Sequence, residues 1–208
     1  SPGRKARCRP APAAESASPV AGVVGLLLAA GQGTRFGSDK LLHPLACGTP
    51  MAVASARTLR GVCPRSIAVL RPEQGVLAGL LAAEGLEIVF SPESCGGMGH
   101  TLAAGVAASP DASGWLVTLA DMPFIQPATL CRVADALADG AELAAAFVDG
   151  QRGHPVGFAA RWRRELLALT GDEGARAVIG GNKGLLRRIE TTDPGVLQDV
   201  DRPGDIPP

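Results

Sequence analysis

The stretch VVGLLLAAGQGTRFGSDK, residues 23–40, decides how the rest of the chain is read. Val23 to Leu28 is a short, uninterrupted apolar run that ends in glycines, the pattern of a strand buried on both faces. A glycine-rich loop carrying two cations, Arg35 and Lys40, follows it. Two familiar nucleotide loops are excluded by the residues themselves. The dinucleotide fingerprint needs a third glycine five positions after the first. Gly31 and Gly33 fit, but position 36 is Phe and the next glycine is Gly37, and residues 50–60 hold no Asp or Glu for a ribose. A Walker A loop needs Gly-Lys followed by Ser or Thr, whereas Lys40 stands between Asp39 and Leu41. The loop still has what a triphosphate requires. Glycines let backbone N–H groups approach phosphate oxygens, Arg35 offers a planar fork and Lys40 a point charge.

Working outward, strands and helices alternate. Thr49 as N-cap, Pro50 as first helical residue and Gly61 as stop bound a helix near 50–60. SIAVL (66–70) reads as a strand, 72–83 as a helix stopped by Gly85, and LEIVF (86–90) as a strand. Residues 97–108 read as a helix, GWLVTLA (114–120) as a strand, and Pro127 opens a helix to about Asp139. Such alternation predicts a mostly parallel sheet in an α/β layer fold. After residue 140 the pattern changes. AELAAAFVD and HPVGFAA predict a hairpin, a small antiparallel addition to the sheet. Helices are expected near 161–169 and 173–179, and a short strand near 196–200. Residues 1–20 are rich in Pro, Ala, Ser and Arg, lack apolar periodicity and contain no secretory signal, so a disordered tail is expected there, with one domain over 21–208.

Composition sets the outer limits. The chain has 208 residues, 46 % of them hydrophobic, enough for a sizeable core. With five Phe, two Trp and no Tyr, that core must be built from Ala, Val, Leu and Ile. Twenty basic residues balance twenty acidic ones, which gives no reason to expect nucleic-acid binding. No window approaches a membrane span. The cysteines (Cys8, Cys47, Cys63, Cys95, Cys131) are odd in number with no C-x-x-C pair. That argues against a disulfide framework or structural zinc and makes a reducing cytoplasm the expected location.

Several residues are candidates for chemistry. Asp121 ends an apolar strand, where a parallel sheet presents ligands. It can hold Mg²⁺ with substrate phosphates, or cap the turn before Met122-Pro123. Asp199 and Asp201 lie two apart, so in a strand both would face a metal or both solvent. His154, in Arg152-Gly153-His154-Pro155, is one of three histidines with no metal-like spacing. Asp172 lines a pocket or caps a helix starting near Glu173. Cys95-Gly96-Gly97-Met98 precedes a helix whose free N–H groups suit an anion or a base edge.

LLLAAGQGTRFGSDKLLHPL (26–45) closely resembles the signature of the nucleotidyltransferases that activate molybdopterin, within the wider sugar-nucleotide-type transferases. That signature is roughly L-A-[AG]-G-x-[GS]-x-R-[MF]-G-x-x-K. It is matched at Leu28, Ala29, Ala30, Gly31, Gly33, Arg35, Phe36, Gly37 and Lys40. Similar stretches follow in order: SCGGMGHTLAAGV (94–106), LVTLADMP (116–123), GQRGHPVGF (150–158), LTGDEGARAVI (169–179) and DVDRPGD (199–205). The RGHP and GDEGAR stretches are similar to the molybdenum cofactor cytidylyltransferase branch. The chain departs from the pattern at Gly99 and His100, where the family often has Ser, and at Arg202 in place of Thr.

The resemblance implies a Rossmann-like three-layer α/β/α nucleotidyltransferase fold. It implies transfer of CMP from CTP to the terminal phosphate of molybdenum-molybdopterin, with pyrophosphate released. By that resemblance Leu28, Ala29, Ala30, Gly31, Gly33, Arg35 and Lys40 bind the nucleotide, Arg35 and Lys40 being catalytic. Asp121 and Asp201, the latter favoured over Asp199, hold Mg²⁺. Gly97, Arg152, His154 and Asp172 bind the pterin. The Leu28-Ala29-Ala30-Gly31 reading implies CTP over GTP. A recipient molybdoenzyme or its chaperone is the implied partner. The rivals are a related transferase with GTP or another phosphorylated acceptor, and a catalytically idle delivery module.

Overall fold

The computed structural model describes residues 22–31, 40–172 and 174–206. The expected tail over 1–20, and Gly33, Arg35, Phe36 and Gly37 of the loop, lie outside the described residues.

All six residues of β1 (Val23–Leu28) are buried. The reason is its place: β1 pairs in parallel with β2 (Ser66–Leu70) on one side and β4 (Gly114–Leu119) on the other. Alternation then sends its side chains to opposite faces. Val23 and Leu27 join a core shared with α1 (Met51–Val62), α2 (Gly75–Ala83) and α4 (Pro127–Ala138). Val24, Leu26 and Leu28 join a second core with α3 (Met98–Ala107), α5 (Arg163–Leu167) and α6 (Arg176–Gly181). The result is helix layers on both faces of one sheet.

The sheet has seven strands in the order β3-β2-β1-β4-β6-β5-β7, with β3 at Glu87–Phe90, β5 at Leu143–Val148, β6 at Gln151–Ala159 and β7 at Leu186–Glu190. Only β6 runs against the rest. The expected hairpin is β5–β6, closed by Asp149-Gly150 with both φ positive (49° and 77°), the backbone of a two-residue type I′ turn. It is not an edge addition, since β6 sits beside β4 in the middle of the sheet.

Three sequence expectations are corrected. The strand near 196–200 is absent; Pro194–Leu197 is a 3₁₀ turn opened by Asp193, whose side chain accepts from Gly195 N at 3.0 Å. The last strand is β7, paired in parallel with β5. Its sequence, LRRIE, escapes an apolar search because an edge strand has one partner and two charged, exposed arginines. Finally, α1 begins at Met51 with Pro50 in the N-cap position. Thr49 cannot cap because the chain there is folded back, Leu45 N donating to Thr49 O at 2.9 Å. The other helices stand within a few residues of expectation, the last starting at Arg176 rather than near 173. No helix among the described residues is long and apolar enough to cross a membrane.

Candidate nucleotide and metal site

The carboxyl ends of β1 and β4 lie side by side, and β2 and β3 extend the sheet one way from β1 while β4 and β6 extend it the other. A crevice outside the strand ends at such a switch point is where α/β sheets take ligands. Here it is a cavity of about 710 Å³ lined by Leu28, Ala29, Ala30, Gly31, Lys40, Arg71, Gly97, Asp121 and Asp172, among others. The strand end is held rigid: Ala29 N donates to Val69 O, and Ala29 O accepts from the buried Gln74 side chain, both at 3.0 Å. Gln74 in turn accepts from Arg71 N at 2.8 Å, fixing the chain after β2.

Lys40 opens a short 3₁₀ turn and is only 8 % exposed. Its Nζ donates to Asp121 Oδ2 at 2.9 Å and to Asp201 Oδ1 at 2.8 Å. Burial by itself would lower the ammonium pKa, but the two carboxylates outweigh it and hold the group above its ordinary value. Asp121 stands just beyond β4. Asp201 arrives from far along the chain because Val200 N donates to Asp121 O at 3.0 Å. Asp205 then accepts from the backbone N of Asp201 (2.9 Å) and of Arg202 (2.7 Å), which sets the direction of that turn. So Asp201, not Asp199, shares a centre with Asp121; Asp199 lines the neighbouring cavity.

The donor set fits a hard divalent cation. Two carboxylate oxygens from separate chain segments converge on one positive centre, and Mg²⁺ takes few protein ligands when phosphates and water supply the rest. Among the described residues no group of three or more His, Cys, Asp or Glu forms a self-sufficient cage.

Gly97 and Asp172 belong together, apart from Arg152 and His154. Gly99 N donates to Gly171 O at 2.8 Å, and a Cβ on Gly97 would run into the Asp172 carboxylate. The 170–172 turn is thus packed on the start of α3, and both residues line the first cavity, not the one holding Arg152 and His154.

That second cavity, of about 370 Å³, adjoins the first. Leu28, Met98, Leu119 and Asp121 line both. One face of β6 supplies Arg152, His154, Val156 and Phe158 at alternate positions, and α6 supplies Arg176. Neither arginine forms an ion pair among the described residues. Burial, then the nearby Arg176 charge, lowers the Arg152 pKa. Burial also pulls His154 below its ordinary value, opposed by the Val117 backbone and Asp121 and reinforced by the two arginines. Its Nδ1 is closed off from solvent without a hydrogen-bond partner. Two guanidiniums that no carboxylate among the described residues pairs with can receive an anionic ligand, although Asp121 and Asp199 also line the cavity. Sequence reading missed Arg176, although the GDEGAR stretch contains it.

Comparison with known proteins gives the family and the fold. The profile of the MobA-like NTP transferase domain matches residues 25–188. Nicotine blue oxidoreductase of Paenarthrobacter nicotinovorans is 31 % identical over 187 residues, covering 86 % of this chain and 92 % of that protein. Purine catabolism protein PucB of Bacillus subtilis is 30 % identical over 191 residues, covering 87 % and 92 %. The crystal structure of Rv0371c from Mycobacterium tuberculosis H37Rv superposes with a TM-score of 0.73 at 26 % identity, over 88 % of this chain and 94 % of that one. A nucleotidyl transferase from Methanothermobacter, at 22 % identity and a TM-score of 0.74 over 89 % and 94 %, shares the fold. Fold, crevice and sequence profile converge, and the chain belongs to the MobA-like NTP transferase domain family, built on the nucleotidyltransferase fold.

Proposed function

We propose that this protein transfers CMP from CTP to the terminal phosphate of molybdenum-molybdopterin and releases pyrophosphate. The observation that carries the reading is the meeting of two cavities at Asp121: a glycine-edged, lysine-bearing cavity suits a nucleoside triphosphate, and one with two arginines that form no ion pair among the described residues suits a phosphorylated acceptor. The acceptor phosphate forms a bond to the α-phosphorus in line as the bond to pyrophosphate breaks. An ionised phosphate needs no strong general base, so catalysis is positioning and charge neutralisation. Lys40 and Arg35 neutralise the triphosphate, Gly33 and its neighbours present backbone N–H groups, and Arg152, Arg176 and His154 hold the acceptor. Asp121 and Asp201 would hold Mg²⁺, which supplies further charge neutralisation at the phosphates when bound; a structure of Rv0371c is described as a complex with manganese. Gly97 and Asp172 shape the wall facing the nucleotide.

The Ala30 methyl removes space beside the backbone where the base stacks, which favours the smaller pyrimidine; Arg71 lines the same cavity. One methyl is worth about 1–3 kcal/mol, so a 10- to 200-fold preference for CTP over GTP is the ceiling from that position. A relative named as an oxidoreductase does not redirect this reading. Phe36 stands where a dinucleotide loop needs glycine, and paired carboxylates under a lysine serve phosphate and metal rather than hydride.

Incubating the protein with each labelled nucleoside triphosphate, Mg²⁺ and molybdenum-molybdopterin tests the proposal. CTP should be consumed, with pyrophosphate appearing, only when the acceptor is present. Equal consumption of GTP would leave a broader nucleotidyltransferase; no consumption of any would leave a binding module.

A further inference from the structure

The signature lysine of a triphosphate loop is expected to face phosphate. Here Lys40 instead sits between the two carboxylates that fit the metal, at 2.9 Å from Asp121 and 2.8 Å from Asp201. Its side chain is 9 % exposed, so the pair cannot be treated as loose surface ions. Mg²⁺ binds its oxygens at about 2.1 Å, closer than the ammonium now stands to either carboxylate. A divalent ion on this carboxylate pair would lie beside the ammonium, and the like-charge repulsion in a partly desolvated crevice sets the two cations in competition.

We propose that Lys40 is a tethered competitor of the metal: it occupies the Asp121–Asp201 site, so that the protein alone takes up divalent cation poorly and takes it up with the nucleotide, whose phosphates draw the ammonium away. The consequence is an order of assembly. A triphosphate presents its own anionic oxygens on the side of Gly31 and the loop, giving Lys40 an exchange partner within the same cavity. Once the ammonium moves to phosphate, the two carboxylates are released to the metal. The ammonium also offsets part of the repulsion between the two carboxylates held together. This inference rests on the nucleotide and metal reading of the first cavity, but its test does not use turnover.

The experiment is a titration of Mn²⁺ into the full chain without nucleotide, followed by calorimetry or by the electron paramagnetic resonance of the free ion. Lys40→Gln should bind Mn²⁺ roughly tenfold or more tightly than wild type, since it removes one adjacent positive charge. Lys40→Arg, which keeps that charge, should behave as wild type. Adding Asp121→Asn to Lys40→Gln should abolish the gain, which locates the ion. A Lys40→Gln affinity equal to or below that of wild type overturns the proposal, as does a gain that survives loss of Asp121. Should Lys40→Gln fail to fold, the wild-type Nζ resonance carries the test: it should stay in place with Mg²⁺ alone and move when CTP is added with Mg²⁺. Displacement by Mg²⁺ alone overturns the competition. Failure of the transferase reading would show separately, as absent turnover with these metal affinities intact.

Discussion

At the scale of single residues, the described part of the site balances the Lys40 ammonium against Asp121 and Asp201. Asp121→Asn leaves Lys40 paired with Asp201, so the melting temperature should change little while metal-dependent turnover falls by about 10²-fold or more. A metal activation curve identical to wild type would return Asp121 to a turn-capping role. Lys40→Ala should lower kcat by roughly 10²–10³, one preorganised cation at the reacting phosphate being worth about 3–4 kcal/mol. Turnover above half of wild type at saturating CTP would remove Lys40 from the machinery. In the second cavity, Arg152→Ala and Arg176→Ala should each raise KM for the acceptor and leave CTP affinity nearly intact, because both guanidiniums line the cavity away from Ala29 and Gly31. Calorimetry in which CTP affinity collapses and acceptor affinity persists would reverse the assignment of the two cavities.

At the scale of elements, the geometry depends on close approaches. Gly153 lies on the face of β6 opposite Arg152 and His154, pressed against the 194–197 turn, and a Cβ there would overlap the Val196 carbonyl oxygen. That turn leads directly to Val200 and Asp201. Gly153→Ala should therefore cost about 1–3 kcal/mol of stability, in the range of steric insertions into packed regions. It should also lower activity beyond what the melting temperature predicts, because Asp201 is displaced with the turn. Chemical denaturation checks the first effect and turnover well below the melting temperature the second; a variant with wild-type stability would show that the turn can move aside freely.

At the scale of the whole molecule, two cores on opposite faces of one sheet leave few ionisable groups inside. Cys63, at the end of α1, is fully buried, and burial pushes its thiol from 9.0 up to about 12, with a smaller contribution from Cys131. In the unfolded chain the thiol ionises near 9.0. Between pH 9 and 12 the folded state therefore keeps a proton that the unfolded state has lost, and stability falls as pH rises through that window. The slope from this group is about 1.4 kcal/mol per pH unit. Below pH 9 it contributes no pH dependence. The melting-temperature advantage of wild type over Cys63→Ala should shrink above pH 9 and stay constant below it. In the native protein at pH 8 a thiol reagent should label the exposed Cys47 and Cys95 and spare Cys63.

The sequence by itself determined the central strands and the order of the βα units. A strand covered on both faces must be apolar along its whole length, so Val23–Leu28 announces a central parallel strand, and the hydrophobic alternation that follows reports the βα units in order. Pro127 marked the start of α4 for the local reason that its ring fits the first turn of a helix. Tertiary structure alone decided the rest. β7 is an edge strand whose pairing, not its apolarity, makes it a strand. Lys40 meets partners 81 and 161 residues away. Asp201 rather than Asp199 reaches Lys40, with the backbone of Val200 tied to that of Asp121. Arg176 joins Arg152 only because α6 packs over the face of β6 that carries His154. Local patterns are written by burial and backbone preference over a few residues. A site assembled from chain segments so far apart is written by the way the cores close, which no short stretch of sequence contains.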